Sequence, residues 1–327
     1  MMTTIKDVAK LAGVSVATVS RAINQSGYVG VDSAKKIEKA IKQLDFHPSE
    51  VARSLYQKKS KLVGLLLPDI SNPFFPLLAK GVEDKMNEAG YHLILGNVQE
   101  DMAKEQDYLK AFMQNNVAGI LSAVDGGASN LKEIPFVLLD RVATKKEYVV
   151  HGNDFEGGIL AAKAIAEGNP KEIVLLVGPK SIKGSLERLR GSVSILNEKN
   201  LTYHLLQTDS FQFDSAKKAS LELFEQFPAV DSVIASNDVH GLAILKEALR
   251  RGIRVPEELQ IIGYDDIPFS QMVYPSLTTI AQPAYEMGYQ GAELLCRCME
   301  NQPIDKKIIQ LPVLLKERET LRKKESL

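Results

Sequence analysis

The 327-residue sequence is poor in cysteine and has no long apolar run. Its two cysteines, Cys296 and Cys298, stand two apart in AELLCRCMEN, a stretch of helical pattern, so their side chains diverge. A disulfide framework is excluded, and buried thiols in a reducing cytoplasm are expected. No run approaches the roughly 20 apolar residues of a membrane span. The opening MMTTIKDVAKLAG carries charge early and has no apolar signal core, so no secretion signal is expected. His47, His92, His151, His204 and His240 are scattered without metal-ligand spacing. There is no nucleophile elbow and no dinucleotide-binding glycine fingerprint. GPKSIKGS (178–185) lacks the Gly-Lys-Ser/Thr ending of a phosphate loop. The final KERETLRKKESL reads as a charged tail without the leucine heptads of a coiled coil. Nothing in the pattern supports catalysis, a bound metal or a cofactor.

What is present is uneven. The net charge of −1 hides a basic start: residues 1–61 hold 11 Lys+Arg against 5 Asp+Glu, and the remainder 29 against 36. A basic head on an acidic body suits contact with a polyanion. The head has the pattern of short helices only. From Lys61 onward, short Val/Ile/Leu runs alternate with amphipathic stretches: KLVGLLLP, YHLILGN and AGILSAV, then EIVLLVGP, YHLLQT, DSVIASN and LQIIGYDD. Such runs between helices indicate parallel strands buried on both faces. Two series imply two doubly wound α/β lobes.

The expected division is a helix-turn-helix head over 1–46, a hinge over 47–60 and a two-lobed core over 61–327. The first lobe would comprise about 61–153 and 283–312, the second about 154–282 and 313–327. The lobe changes fall near HGNDFEGG, at Gln282 and near Pro312. Parallel sheets bind ligands outside their strand C-termini, so a cleft between the lobes is the expected site.

In the head, TIKDVAKLAGVSVATVSRAIN places Ile5, Val8, Ala9 and Leu11 at near-helical spacing. Gly13 permits a tight turn, and Ser15 is a good N-cap for a second helix. Val19 and Ile23 face inward, which leaves Val16, Ala17, Ser20 and Arg21 outside. Ile37, Ala40, Ile41 and Leu44 of a third helix close the small core. A second helix so placed enters the DNA major groove with its N-terminal residues. Arg21 would fork onto a guanine edge, while Thr18 and Ser20 would donate to phosphates or bases.

This segment, continued by HPSEVARSLYQKKSKLVGLLLPDISNPFF, resembles the N-terminal signature of the LacI/GalR family of bacterial transcription regulators. The resemblance extends over essentially the whole chain. It implies DNA contacts from Thr4, Ser15, Val16, Ala17, Thr18, Ser20, Arg21 and Asn24. It also implies a hinge helix in PSEVARSLYQKKS that orders only when two copies pair on DNA. Leu55 then matches the family's minor-groove wedge, and Ala52 is small enough for the helix–helix contact. Tyr56 stands where some relatives carry Lys, so minor-groove readout departs there.

The body resembles periplasmic sugar-binding proteins, the ribose-binding protein in particular. A sugar ring has apolar C–H faces and a polar equator, so aromatics should cover the faces while charged and amide groups take the hydroxyls. DISNPFF places two adjacent phenylalanines just past an apolar strand, in what reads as a turn. Phe74 and Phe75 would form one wall of the sandwich, with Asn72 at a hydroxyl. Asp140 and Arg141 end IPFVLLDR. SLERLRG offers Arg188 at the family spacing, with Arg190 as the neighbouring alternative. Phe211, or less fittingly Phe213, would supply the opposite wall. Asn237, Asp265 and Gln282 complete the ribose-binding constellation that the resemblance implies.

The resemblance thus implies a cytoplasmic homodimer that represses genes of ribose uptake and use from a pseudo-palindromic operator in double-stranded DNA and is released by D-ribose or a closely related pentose. The rival expectation is a relative governed by a phosphorylated carrier protein or a phosphorylated sugar corepressor, since the head also resembles that of catabolite control proteins.

Overall fold

A computed structural model describes residues 3–24, 26–47, 60–99, 101–124, 134–140 and 148–323. The chain divides into two compact units, a helical head and an α/β body that begins at Leu62.

The head contains helices α1 (Ile5–Ala12), α2 (Val16–Asn24) and α3 (Val31–Leu44). The Asp7 carboxylate accepts from the Thr4 N–H at 2.8 Å and from the Thr4 hydroxyl at 2.6 Å, which fixes the start of α1. Gly13 ends α1 at φ 65°, a left-handed conformation that costs glycine little. Ser15 Oγ then accepts from the Thr18 N–H at 3.1 Å and starts α2. Val8, Ala9, Ala12, Val19, Ile37, Ala40 and Phe46 form the core, with Ile23, Ile41 and Leu44 against it. One expectation fails: Leu11 is 46% exposed, and Ala12 is buried instead. The inward stripe of α1 is Ile5, Val8, Ala9 and Ala12, spaced i, i+3, i+4, i+7, and Leu11 lies off it.

The body is built on two six-stranded sheets. The first holds β1 (Leu62–Leu67), β2 (His92–Asn97), β3 (Gly119–Ser122), β4 (Phe136–Leu139), β5 (Tyr148–Gly152) and β11 (Ile308–Leu311). Its order is β11-β5-β4-β3-β1-β2. The second holds β6 (Ile173–Val177), β7 (Tyr203–Gln207), β8 (Ser232–Ile234), β9 (Gln260–Asp265), β10 (Thr278–Ala281) and β12 (Leu314–Lys316), in the order β12-β10-β9-β8-β6-β7. The paired strands are parallel except β12, which runs antiparallel to β10 with Ile280 opposite Leu315. The chain passes between the sheets after β5, after β10 and between β11 and β12.

Helices cover the sheets: α4 (Phe74–Glu88), α5 (Met102–Gln114) and α11 (Ala284–Met299) accompany the first, and α6 (Asp154–Glu167), α7 (Lys183–Glu198), α8 (Phe213–Gln226), α9 (Asp238–Arg250) and the short α10 (Phe269–Met272) the second. Central strands carry continuous buried runs, as in Val63, Leu65, Leu66 and Leu67, because both faces lie under helices. Edge strands β2 and β7 are mostly half-buried or exposed, with one buried residue each.

Two further readings change. The final segment is not simply a solvated tail. Thr320 is fully buried and donates to the Ile261 carbonyl at 2.7 Å, and Arg318 pairs with Asp266 at 2.5 Å. Cys296 and Cys298 are free thiols, half-buried rather than buried.

Candidate functional site

One cleft lies where the C-terminal ends of both parallel sheets face each other. Its walls include Pro68, Asp69, Asn72, Phe74, Phe75, Asp140, Asp154, Ile182, Gly184, Ser185, Arg188, Phe211, Gln212, Asn237, Asp265 and Gln282. Each belongs to a segment that leaves a strand end or opens the next helix. The cleft therefore collects Asn72, Phe74, Phe75, Asp140, Arg188, Phe211, Asn237, Asp265 and Gln282 from segments far apart in sequence. Arg141, the neighbour of Asp140, lies outside the described residues, as do Ala52, Leu55 and Tyr56 of the hinge.

Phe74 and Phe75 are not in a turn. They open α4, and Asn72 Oδ1 accepts from the Phe74 N–H at 3.2 Å. Pro76 follows in the first turn, where a missing N–H leaves no intrahelical bond unmade. The two rings meet edge to face, centroids 5.2 Å apart. Phe211 lines the second lobe's side, whereas Phe213 is 53% exposed. Arg188 likewise reaches the cleft, whereas Arg190 lies outside and pairs with Glu187 at 2.7 Å.

Arg188 is tightly engaged. Its Nε donates to Asp154 Oδ1 at 2.7 Å, Nη1 donates to the Ser236 carbonyl at 3.3 Å, and the guanidinium carbon lies 3.8 Å from the Tyr264 ring centroid. Burial opposes its charge, but the combined field of Asp154, Tyr264, Asp265 and Asp140 outweighs that and holds it protonated beyond an ordinary arginine. Asp154, the first residue of α6, was not foreseen as a site residue. Its stretch, HGNDFEGG, marked only the change of lobe.

Asp265 ends β9 at φ 112° and accepts from Gln282 Nε2 at 2.8 Å. Burial pushes its carboxyl well above the usual range, against the pull of Arg188. Asn237 Oδ1 accepts from the backbone N–H of His240 at 2.9 Å and from its Nδ1 at 2.8 Å. These bonds fix the amide so that the Nδ2 edge is the one left over. Asn237 Nδ2 and Gln282 Oε1 are buried with no protein partner, one donor and one acceptor at the cleft. Unpaired buried polar atoms are costly, and a ligand carrying hydroxyls would satisfy both. Burial lowers the pKa of His240 to about 4, so the ring is neutral at pH 7.

In the head, Ser15, Val16, Ala17 and Arg21 are exposed along the start and outer face of α2, and Thr4 is exposed at the start of α1. Thr18, Ser20 and Asn24 are half-buried. The Thr18 hydroxyl lies 2.8 Å from Ser15 Oγ, and Ser20 Oγ accepts from Asn24 Nδ2 at 3.3 Å. These three side chains thus have local partners, and Arg21 is the long exposed donor of the face. Among the described residues no group could hold a metal ion, and no helix is long and apolar enough to cross a membrane.

Residues 4–49 match the family described as bacterial regulatory proteins, lacI family, and residues 162–321 match the periplasmic binding protein-like domain. The ribose operon repressor of Bacillus subtilis is 47% identical, over 99% of this chain and 100% of its own. A LacI family transcriptional regulator from Enterococcus faecium with bound ribose superposes with a TM-score of 0.72 at 28% identity, over 80% of this chain and 98% of its own. The lac repressor dimer bound to operator and the anti-inducer ONPF gives a TM-score of 0.86 at 23% identity, over 98% of this chain and 99% of its own.

Proposed function

Since this chain belongs to the LacI family of bacterial regulatory proteins, we propose that it is a transcriptional repressor of ribose uptake and use whose cleft takes free D-ribose. It acts as a cytoplasmic homodimer on a pseudo-palindromic operator and carries out no catalysis. The cleft carries this reading: three phenylalanine rings surround fixed polar groups, two of which still lack a partner.

Among the described lining residues, the field favours the neutral sugar over its phosphate ester. Among the described lining residues the carboxylates are Asp69, Asp140, Asp154 and Asp265, and the cation is Arg188, already bonded to Asp154. At these residues a phosphate dianion would meet Asp69, Asp140 and Asp154 with Arg188 already engaged, whereas hydroxyls donate to the acidic oxygens and accept from the guanidinium and amides.

Coupling to DNA runs through the lobes. Ribose touches residues from both sheets and so favours the arrangement in which both close on it. If the operator-binding form prefers another arrangement, sugar and operator weaken each other by the same factor. The hinge wedge at Leu55 and the reading face around Arg21 are the proposed DNA contacts.

Titration calorimetry of the full chain with ribose, ribose 5-phosphate and glucose tests the cleft. Saturable heat from ribose alone is expected. Heat from the phosphate ester but not from ribose would overturn the free-sugar assignment. Binding of a phosphorylated carrier protein, with no response to any sugar, would overturn the sugar response.

A further inference from the structure

Below the cleft floor lies a carboxylate that touches no ligand position but joins the segments that do. The geometry points to Asp238 as the positioning residue of the cleft, a single buried carboxylate that ties together the segments bearing Asn237, Asp265 and Gln282. The inference rests on the ribose reading of the cleft.

Asp238 is the first residue of α9 and is fully buried. Its Oδ2 accepts from the Ile267 N–H at 2.9 Å and from Ser270 Oγ at 2.7 Å, and its Oδ1 from Thr279 Oγ1 at 2.5 Å. Ile267 and Ser270 belong to the turn that follows Asp265, Thr279 lies three residues before Gln282, and Asn237 immediately precedes Asp238. Ile267, Ser270 and Thr279 lie 29, 32 and 41 residues from Asp238 along the chain.

The arrangement has to be held. Asp265 has a φ of 112°, outside the left-handed well that Asp readily adopts and that Asp266 occupies at 60°, so its conformation is one its surroundings must impose. The Asp265–Gln282 bond of 2.8 Å spans β9 and the end of β10, so a shift between turn and strand breaks it. Arg318 clamps the same turn from the other side through Asp266. Loss of the Asp238 ties would therefore loosen the cleft side of the turn without freeing all of it.

A second residue depends on the same contact. A Cβ at Gly263, on β9, would clash first with Asp238 Oδ1 and would also press on Leu277 Cδ2 at 2.9 Å. Glycine there is the space the carboxylate occupies, and Gly263 does not line the cleft. Gly263→Ala is thus an independent way to displace the carboxylate.

The test is titration calorimetry of the full chain with ribose, held well below the melting temperature of each variant. Asp238→Ala and Gly263→Ala should each weaken ribose binding by about tenfold or more, since a site held loosely loses its geometry. Asp238→Asn should restore affinity to within about threefold of wild type, because the Ser270 and Thr279 hydroxyls rotate to suit an amide. The double variant Asp238→Ala/Gly263→Ala should lose far less than the sum of the two single losses, because removing the carboxylate relieves the main clash at Gly263 and leaves only the contact with Leu277. Wild-type affinity in both alanine variants, with only a lower melting temperature or a smaller fraction of binding-competent protein, would reduce Asp238 to a core stabiliser and overturn the proposal. Absence of ribose heat from the wild-type chain would overturn the cleft reading, and the proposal with it.

Discussion

Arg188 Nε donates to Asp154 Oδ1 at 2.7 Å, and this bond, made between α7 and α6, decides how the arginine meets a ligand. With Nε held, the Nη edge is the one turned toward Asp265, with Nη1 3.9 Å from its carboxylate. Asp154 thereby converts a flexible cation into a donor of fixed direction.

Asp154→Ala should cost about 3–5 kcal/mol of stability, because it strands a largely buried guanidinium, and should also weaken ribose binding. The double variant Asp154→Leu/Arg188→Met should recover much of the stability and none of the affinity. Thermal melts and calorimetry on the same preparations check both halves. Full affinity in Asp154→Ala would show that Arg188 needs no orienting partner.

His240 gives a pH signature. Its folded-state pKa, lowered by burial to about 4, lies below the ordinary 6.5, so protonation favours the unfolded chain. Its contribution is intact above pH 6.5 and is lost as pH falls from there toward 4. Between pH 6.5 and 5 that amounts to about 2 kcal/mol. Asp238, raised by burial to about 7, acts with the opposite sign, since its folded form holds a proton that the unfolded chain releases above pH 4. The difference between wild type and His240→Gln in urea unfolding at pH 6.5 and pH 5 therefore isolates the imidazole. An equal pH response in both proteins would mean that the folded ring titrates as it does in the unfolded chain.

Phe74→Leu should weaken ribose binding several-fold while leaving the order of preference among pentoses unchanged. A ring face supplies contact area, and the polar groups supply selection. Leucine is chosen because Phe74 is 2% exposed, and alanine would also open a core cavity. Calorimetry with ribose, xylose and 2-deoxyribose checks it. A changed preference order would assign the ring a steric role in selection.

How much of this was legible in the sequence follows from the kind of signal each feature leaves. Two parallel sheets were legible because strands buried on both faces must be continuously apolar, as LVGLLL and IVLLV are. The antiparallel β12 was not, since three residues, Leu314–Lys316, make no period. The helical start of α4 at Phe74 was masked by Asn72-Pro73, which reads as a turn although Pro73 here caps the helix. Asp154 and Asp238 stand beside residues that carried the more visible signals, a lobe change and a strand-end Asn. Their partners, Arg188 at 34 residues away and Thr279 at 41, are set by topology and leave no local trace. Arg188 over Arg190 followed from a family spacing, not from helix period.

Arg21→Ala should lower operator affinity by about 1–3 kcal/mol and relax preference at one base pair. Affinity should also fall steeply with salt, because the basic head displaces counterions from the phosphates. Anisotropy titrations on operator and scrambled DNA over a salt series measure both. An equal loss on the two DNAs would confine Arg21 to a phosphate.

The most direct measurement of the central claim is operator binding by the purified full-length chain as ribose is added, followed by fluorescence anisotropy of labelled operator DNA. The account predicts tight binding without sugar, release by ribose at concentrations that saturate the cleft in calorimetry, no release by glucose, and no release by ribose in Asp265→Ala, which keeps its sugar-free operator affinity. Operator binding that stays unchanged while ribose saturates the cleft would contradict it.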